Sequence, residues 1–340
     1  MSNNLTISRL GERKTINKLV EIFSSKEDDK VVVLGACDND DVALLDIGKG
    51  YLLVSTTDTM TISTHKPTGA TFRQFGWYAT AANLSDIACK GAVPIGMMFA
   101  FGIPRDFYID DLLEVAKGIK DCTLRYKTSV IGGDTKYNRE FTLTGVALGR
   151  VRKNEFIPRR ARKKVRVGDL IYTTGKIGKA AYAFYACKEK MISEKECAKI
   201  MMCIKPRFSE CRKIASLNLA KSSMDLSDSL AECTTTLACM NQCEITLYEK
   251  RLPFYNTIGV EKLMKKGITK EDLISYGGDF ELIFIIDKEK DEVLNSKIDK
   301  KKYKLSRIGK VTSVGKDSSQ VYLYDGNKRK ILEPRSFQHF

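Results

Sequence analysis

The feature that most restricts this chain is a set of aspartates standing among small and apolar residues. They lie in "DNDDVALL" (Asp40, Asp41), "STTDTM" (Asp58), "NLSDIA" (Asp86), "IGGDT" (Asp134) and "MDLSDSL" (Asp225, Asp228). Several follow short β-branched runs, so a fold that brings strand ends to one sheet edge would gather them. Asp86 instead lies late in a helical pattern, beside Asn83 and Ser85. Gathered carboxylates repel: at about 4 Å two like charges cost roughly 4 kcal/mol at an effective dielectric near 20. Such a fold must therefore supply cations. The only histidines are His65 and His339 and no Cys-x-x-Cys occurs, which disfavours zinc or copper. Oxygen-only donors suit Mg²⁺, held by a few carboxylates together with substrate phosphates. For Asp225 and Asp228, spaced i, i+3, capping of a helix start is an equal reading.

With 340 residues, 43% of them hydrophobic, the chain has room for two domains with separate cores. In the first half the pattern predicts a helix over Leu10 to Phe23, then strands in "KVVVLGA", "VALLDI" and "YLLVSTT". A long helix from Thr71 to Lys90 follows, then a strand in "PIGMMFAFGI", a helix from Asp110 to Tyr126, and strands around "SVIGG" and "FTLTGVALGR". "RVGDLIYTTGKIGKAAYAF" reads as a restart, which puts a boundary near Val165. Beyond it, helices alternate with strands in "SSMDL", "EITLY", "ELIFII" and "VYLYDG", the last entering a hairpin turn at Asp325-Gly326-Asn327. The expected class is α/β (α+β) in two domains.

No apolar run approaches the roughly 18 residues a membrane span needs, and "MSNNLTISRLGERK" lacks signal-peptide order. A cytoplasmic protein with ten reduced cysteines is expected. The net charge of +15 reads as solvated surface, in the absence of any nucleic-acid-binding signature. A Walker A loop is missing: "GKVTSVGKDSS" has the wrong spacing and Asp where Ser or Thr should follow the lysine. "GKIGKAA" (Gly175 to Ala181) is either a glycine loop accepting an anion at a helix start or a tight turn. Kinase HRD and DFG signatures are also missing.

"DDVALL", "STTDT" with His65 seven residues beyond its Asp, "NLSDIACKGAVP", "GGDT", "MDLSDSLA", "GGDFELIF" and the terminal "SFQHF" run in one order over nearly the whole chain. In this the sequence resembles the thiamine-monophosphate kinase family, within the aminoimidazole-ribotide-synthetase-like superfamily. The resemblance implies metal binding at Asp41, Asp58, Asp86, Asp134, Asp225 and Asp228, with further oxygens from Thr56 and Thr57. Among these, Asp58, Asp134 and Asp228 count as catalytic. It implies ATP contacts at Gly133, Ser227 and Arg162, and thiamine-phosphate contacts at His65 and Phe337. It also implies an N-terminal ATP/Mg-binding and dimerisation domain (1–165) whose strands form a barrel across a homodimer, and a C-terminal α/β domain (166–340). Mg²⁺ and ATP are the implied cofactor and co-substrate, with no membrane or nucleic-acid partner.

Taken singly, His65 in a polar loop also reads as a surface residue, Phe337 as a packing residue, and Arg162 as one of several basic residues between 159 and 166. The chain departs from the family pattern in "SYGGDFEL": an ungapped alignment puts Gly278 where the substrate Glu belongs, a gapped one simply lacks that Glu, and Asp279 offers a shorter reach. Ser229, Lys179 and Tyr78 are further departures. Against phosphoryl transfer to thiamine monophosphate stand a sister synthetase with another acceptor, a nucleotide-binding regulator without turnover, and a nucleic-acid binder.

Overall fold

The computed structural model describes residues 6–23, 31–299, 301–316 and 318–334. In chain order the first half comprises α1 (Ile7–Leu10), α2 (Glu12–Phe23), β1 (Val32–Leu34), β2 (Ala43–Asp46), β3 (Tyr51–Thr61), α3 (Ile62–His65), α4 (Phe72–Cys89), β4 (Val93–Ile103), α5 (Ile109–Arg125), β5 (Val130–Tyr137) and β6 (Thr142–Arg152). Its strands form one sheet in the order β1-β2-β3-β6-β4-β5. The second half comprises β7 (Leu170–Thr174), α6 (Lys179–Lys188), α7 (Glu194–Met202), α8 (Phe208–Ser216), β8 (Ala220–Asp225), α9 (Leu230–Met240), β9 (Cys243–Tyr248), α10 (Thr257–Met264), α11 (Lys270–Ile274), β10 (Leu282–Ile286), α12 (Asp291–Lys297), β11 (Leu305–Val314), β12 (Val321–Tyr324) and β13 (Arg329–Ile331). These strands form a second sheet, β13-β12-β9-β11-β7-β10-β8. The protein is thus a mixed α/β fold on two sheets.

In β3 the period of two turns Leu52, Val54 and Thr56 inward, and the same parity carries Asp58 onto that face. The sheet is covered there by α4, whose start is fixed by a reciprocal cap: Gln74 N donates to Thr71 Oγ1 at 3.1 Å and Thr71 N donates to Gln74 Oε1 at 2.8 Å. Most of α4 is buried, because both sheets and α5 pack around it. Small residues permit this. A Cβ on Gly76 would stand 2.1 Å from Val115 O, and one on Gly118 would stand 2.0 Å from Arg73 O, so the two helices approach almost backbone to backbone.

In the second sheet β7 and β10 are buried along their whole lengths. Ile283 and Ile285 face one apolar core, while Leu282, Phe284 and Ile286 face another, so helices cover both sides. The hairpin expected at Asp325 joins β12 and β13, with Asn327 N and Lys328 N donating to the Asp325 carboxylate at 2.7 and 2.8 Å. One strand escaped the sequence reading. The stretch weighed as a failed phosphate loop runs through β11, which pairs with β7 and β9. No helix among the described residues is long and apolar enough to cross a membrane.

β5 forms the free edge of the first sheet and is exposed at every position, with Val130, Ile131 and Tyr137 among its side chains. Neighbouring β4 adds exposed Ile95 and Met98. A bare apolar edge of this kind invites a further strand or a second subunit.

Candidate metal and phosphate site

Asp41, Asp86 and Asp225 converge, with one carboxylate oxygen from each within 4.8 Å of the others. Three separate elements deliver them: the loop before β2, the last turn of α4 and the end of β8. Asp86 joins strand-borne acids because α4 runs down between the two sheets and ends at this point. The Ser85 hydroxyl donates to Asp225 Oδ2 at 2.7 Å and that of Ser227 to Oδ1 at 3.2 Å. The Thr56 hydroxyl lies 2.8 Å from Asp86 Oδ2 and 3.1 Å from the Asp41 carbonyl.

These groups do not ionise easily together. Burial, and then the charges of Asp225 and Asp58, push the Asp86 carboxyl well above the usual carboxylate range. Burial likewise raises Asp225, with Asp58 adding to the shift, and burial raises Asp58. Burial also raises the Tyr78 phenol, assisted by the Asp58 charge. Hard oxygen donors whose ionisation is opposed by burial and by one another fit a divalent cation such as Mg²⁺.

Two built-in cations meet Asp41. The Lys90 ammonium, fully buried, lies 2.6 Å from Asp41 Oδ2 and 2.6 Å from Asp40 Oδ1. Burial alone would lower its proton affinity, but the charges around it, Asp40 foremost and Asp86 among the others, together hold it above its ordinary value. Arg159 pairs with Asp41 Oδ1, while its backbone N–H donates to Asp40 Oδ2 at 2.9 Å. Neither residue stood out in the sequence. Lys90 follows a helix as surface lysines often do, and its one signal is its run of small and apolar neighbours, "DIACKGAVP".

Other expected site residues fall differently. Thr57 takes the opposite parity from Thr56 on β3, is exposed, and donates to Gly145 O at 2.9 Å, so it lies on the other face of the strand from Asp58. Asp134 is exposed on β5, outside the triad, and Lys136 at 3.2 Å together with the Thr135 N–H holds its carboxyl below the usual range. Gly133 is glycine for a structural reason, because a Cβ would come 2.1 Å from Phe99 O on β4. Arg162 is exposed and stacks over Phe156 at 5.1 Å, whereas Arg159 is the basic residue that reaches the acidic cluster. Asp228 is exposed in the turn after β8; Gly278 N donates to Ser227 O at 2.8 Å, packing that turn against the glycine loop. The helix after the turn is capped by Ser229, which accepts from Glu232 N, rather than by either aspartate. His65 accepts through Nδ1 from Thr61 N at 3.2 Å, near Thr64 Oγ1 at 2.6 Å. Phe337 lies outside the described residues.

Asp279 is committed elsewhere. Its carboxylate accepts from Gly178 N at 2.5 Å and Ala180 N at 3.0 Å, so the anion at the start of α6 is the chain's own side chain. Gly278 has φ +97°, a conformation that disfavours a side chain there. Lys179 donates to Cys203 O at 3.2 Å.

Most of the first sheet and the helix α4 that covers it fall within a stretch that matches a known family. The family described as "AIR synthase related protein, N-terminal domain" matches residues 39–151. Closer relatives narrow this. A thiamine-monophosphate kinase of Methanospirillum hungatei is 30% identical over 252 residues, covering 74% of this chain and 81% of that protein. One from Buchnera aphidicola subsp. Schizaphis graminum is 28% identical over 345 residues, covering 97% and 98%. The chain belongs to the thiamine-monophosphate kinase family. A solved structure of AaThiL complexed with AMPPCP and TMP has the same fold, with a TM-score of 0.80 at 22% identity and full coverage of both chains.

Proposed function

We propose that this chain transfers the γ-phosphoryl group of ATP directly onto thiamine monophosphate, forming thiamine diphosphate and ADP. The observation that carries this reading is the convergence of Asp41, Asp86 and Asp225 on one point. It is supported by membership of a family whose named relatives are thiamine-monophosphate kinases, and by the fold shared with a protein solved with AMPPCP and TMP.

In the reaction an oxygen of the acceptor phosphate bonds to the γ-phosphorus, the bond to the bridging oxygen breaks, and ADP leaves with the electron pair. The acceptor phosphate, with a second pKa of about 6, is already ionised near neutral pH, so no general base is required. The obstacle is repulsion between anions, which bound Mg²⁺ offsets by neutralising the phosphates and aligning them. Asp86, Asp225 and Asp58 would hold the metal. Ser85, Ser227 and Thr56 orient those carboxylates, and Arg159 keeps Asp41 neutralised.

Asp134, Asp228, Gly133, Ser227, Arg162, His65 and Phe337 belong to this reading as contacts completed in the working assembly, a homodimer joined along β5 into a barrel. The exposed apolar edge of β5 supports that dimer. Residues 1–165 would form the nucleotide and dimerisation domain and 166–340 the second domain. With Asp279 bound to α6, acceptor recognition must come from residues other than the glycine loop's carboxylate.

The test is ADP release from purified protein with Mg-ATP, with and without thiamine monophosphate, and analysis of the products. Thiamine diphosphate formed in step with ADP is expected. ATP binding with no such product overturns the acceptor and turns the search to another one or to a regulatory role.

A further inference from the structure

The Lys90 ammonium has three protons to donate and three partners for them: Asp40 Oδ1 and Asp41 Oδ2 at 2.6 Å, and Ser223 O at 3.2 Å. It is wholly buried, as is Ser223, while the side chains of Asp40 and Asp41 are 3% and 7% exposed. Substrate therefore cannot reach Nζ, and no water need fill a gap around it. The partners come from the β2 entry loop and from β8, so the ammonium fixes the acidic loop of the first half against the second sheet. Asp41 has its other oxygen on Arg159. Of the triad, only Asp86 and Asp225 lack a direct ion pair among the described residues.

We propose that Lys90 is a resident cation of this centre: it occupies the charge position at Asp40 and Asp41 that a divalent ion would otherwise fill, leaving the exchangeable metal to Asp86, Asp225 and Asp58. This deepens the metal reading of the cluster and rests on it. A lysine suits the task because, held by two carboxylates in low dielectric, it stays charged and cannot be chelated away. A divalent ion at Asp41 would have to displace the ammonium from a fully satisfied site and leave it buried without Asp41, which makes binding there unfavourable.

The first test uses the wild-type chain crystallised with saturating Mn²⁺ and a non-hydrolysable ATP analogue, located by anomalous scattering. Manganese is expected on Asp86 and Asp225, with none at about 2.2 Å from Asp41 Oδ2 and Lys90 still in place. A manganese ion on Asp41 with Lys90 swung away overturns the proposal. No manganese at Asp86 or Asp225 overturns the metal reading beneath it.

The second test counts bound Mn²⁺ by equilibrium dialysis in the absence of thiamine monophosphate, so it is independent of turnover. Lys90→Met frees Asp41 Oδ2, with Arg159 still on Oδ1, and should bind one additional equivalent. Asp40→Asn/Lys90→Met, which removes a charge of each sign and so spares the fold an unpaired buried carboxylate, should also gain that equivalent. The same stoichiometry and affinity in wild type and the folded variant overturns the proposal.

Discussion

Ser85 and Asp225, 140 residues apart in the chain, share a 2.7 Å hydrogen bond that joins the end of α4 to the end of β8. The bond points a helix of one half at the acid of the other, so the same contact that packs the halves also shapes the carboxylate cluster. Ser85→Ala leaves the Asp225 carboxylate short of a donor in a buried place. A loss of about 1–3 kcal/mol is expected, the cost of leaving a buried polar group without its partner. Urea denaturation of the metal-free protein measures it. An unchanged midpoint would show that water replaces the serine at no cost.

Asp86 illustrates the conflict between stability and function in this cluster. Its carboxyl is pushed up by burial and by Asp225 and Asp58, so the charged form burdens the metal-free fold. Asp86→Asn should raise the melting temperature without metal, abolish most of the further rise produced by Mg²⁺, and lower turnover by roughly 100-fold or more. A variant less stable than wild type without metal would argue against the repulsion described here.

Proton release follows from the same groups. Because burial raises the proton affinity of Asp86, Asp225 and Asp58 in the metal-free fold, Mg²⁺ competes with protons for these carboxylates. The apparent affinity for Mg²⁺ should therefore weaken as pH falls from 8 towards 6. Titration calorimetry in two buffers of different ionisation enthalpy should show protons leaving the protein. Heats identical in both buffers would contradict this.

Asp279 carries a pH signature of its own. Burial raises its carboxyl from 3.8 to about 6, against the pull of the two backbone donors at α6. Folding thus favours the protonated form: that contribution is full below about pH 4 and is lost as pH rises through about 6. The difference is on the order of 3 kcal/mol at most. Asp279→Asn, which cannot ionise, should gain on wild type by that order as pH rises from 4 to 7. Guanidinium denaturation at several pH values tests this, and parallel curves for the two proteins would refute it.

Much of this was legible in the sequence because period and punctuation are local properties. α4 was expected over Thr71 to Lys90 and spans Phe72–Cys89, since its cap and its end are written in Thr71, Gln74 and Gly91. β11 was obscured by glycines and lysines in a strand whose partners, β7 and β9, lie far away in the chain. The convergence of Asp41, Asp86 and Asp225 was readable as a shortage of positive charge. Which cations relieve it was not, because a buried Lys90 and a surface lysine are spelled alike until the packing around them is known. Arg159 was hidden for the same reason among its basic neighbours, and the hydrogen bonds of Asp279 depend on a loop more than ninety residues away.

Asp134 stands on a strand exposed along its whole length, while the triad forms between the two sheets of one chain. For Asp134 to serve a phosphate site, something must cover β5, and the exposed Val130, Ile131, Ile95 and Met98 favour an apolar partner such as a second copy. Ile131→Asp introduces a charge into that surface without touching the cluster. It should convert a dimer to a monomer in sedimentation equilibrium and lower turnover at least tenfold, while Mg²⁺ still raises the melting temperature. Asp134→Asn should lower turnover as strongly and leave the dimer intact. If wild type sediments as a monomer at full activity, Asp134 has no part in the reaction and β5 is a bare edge.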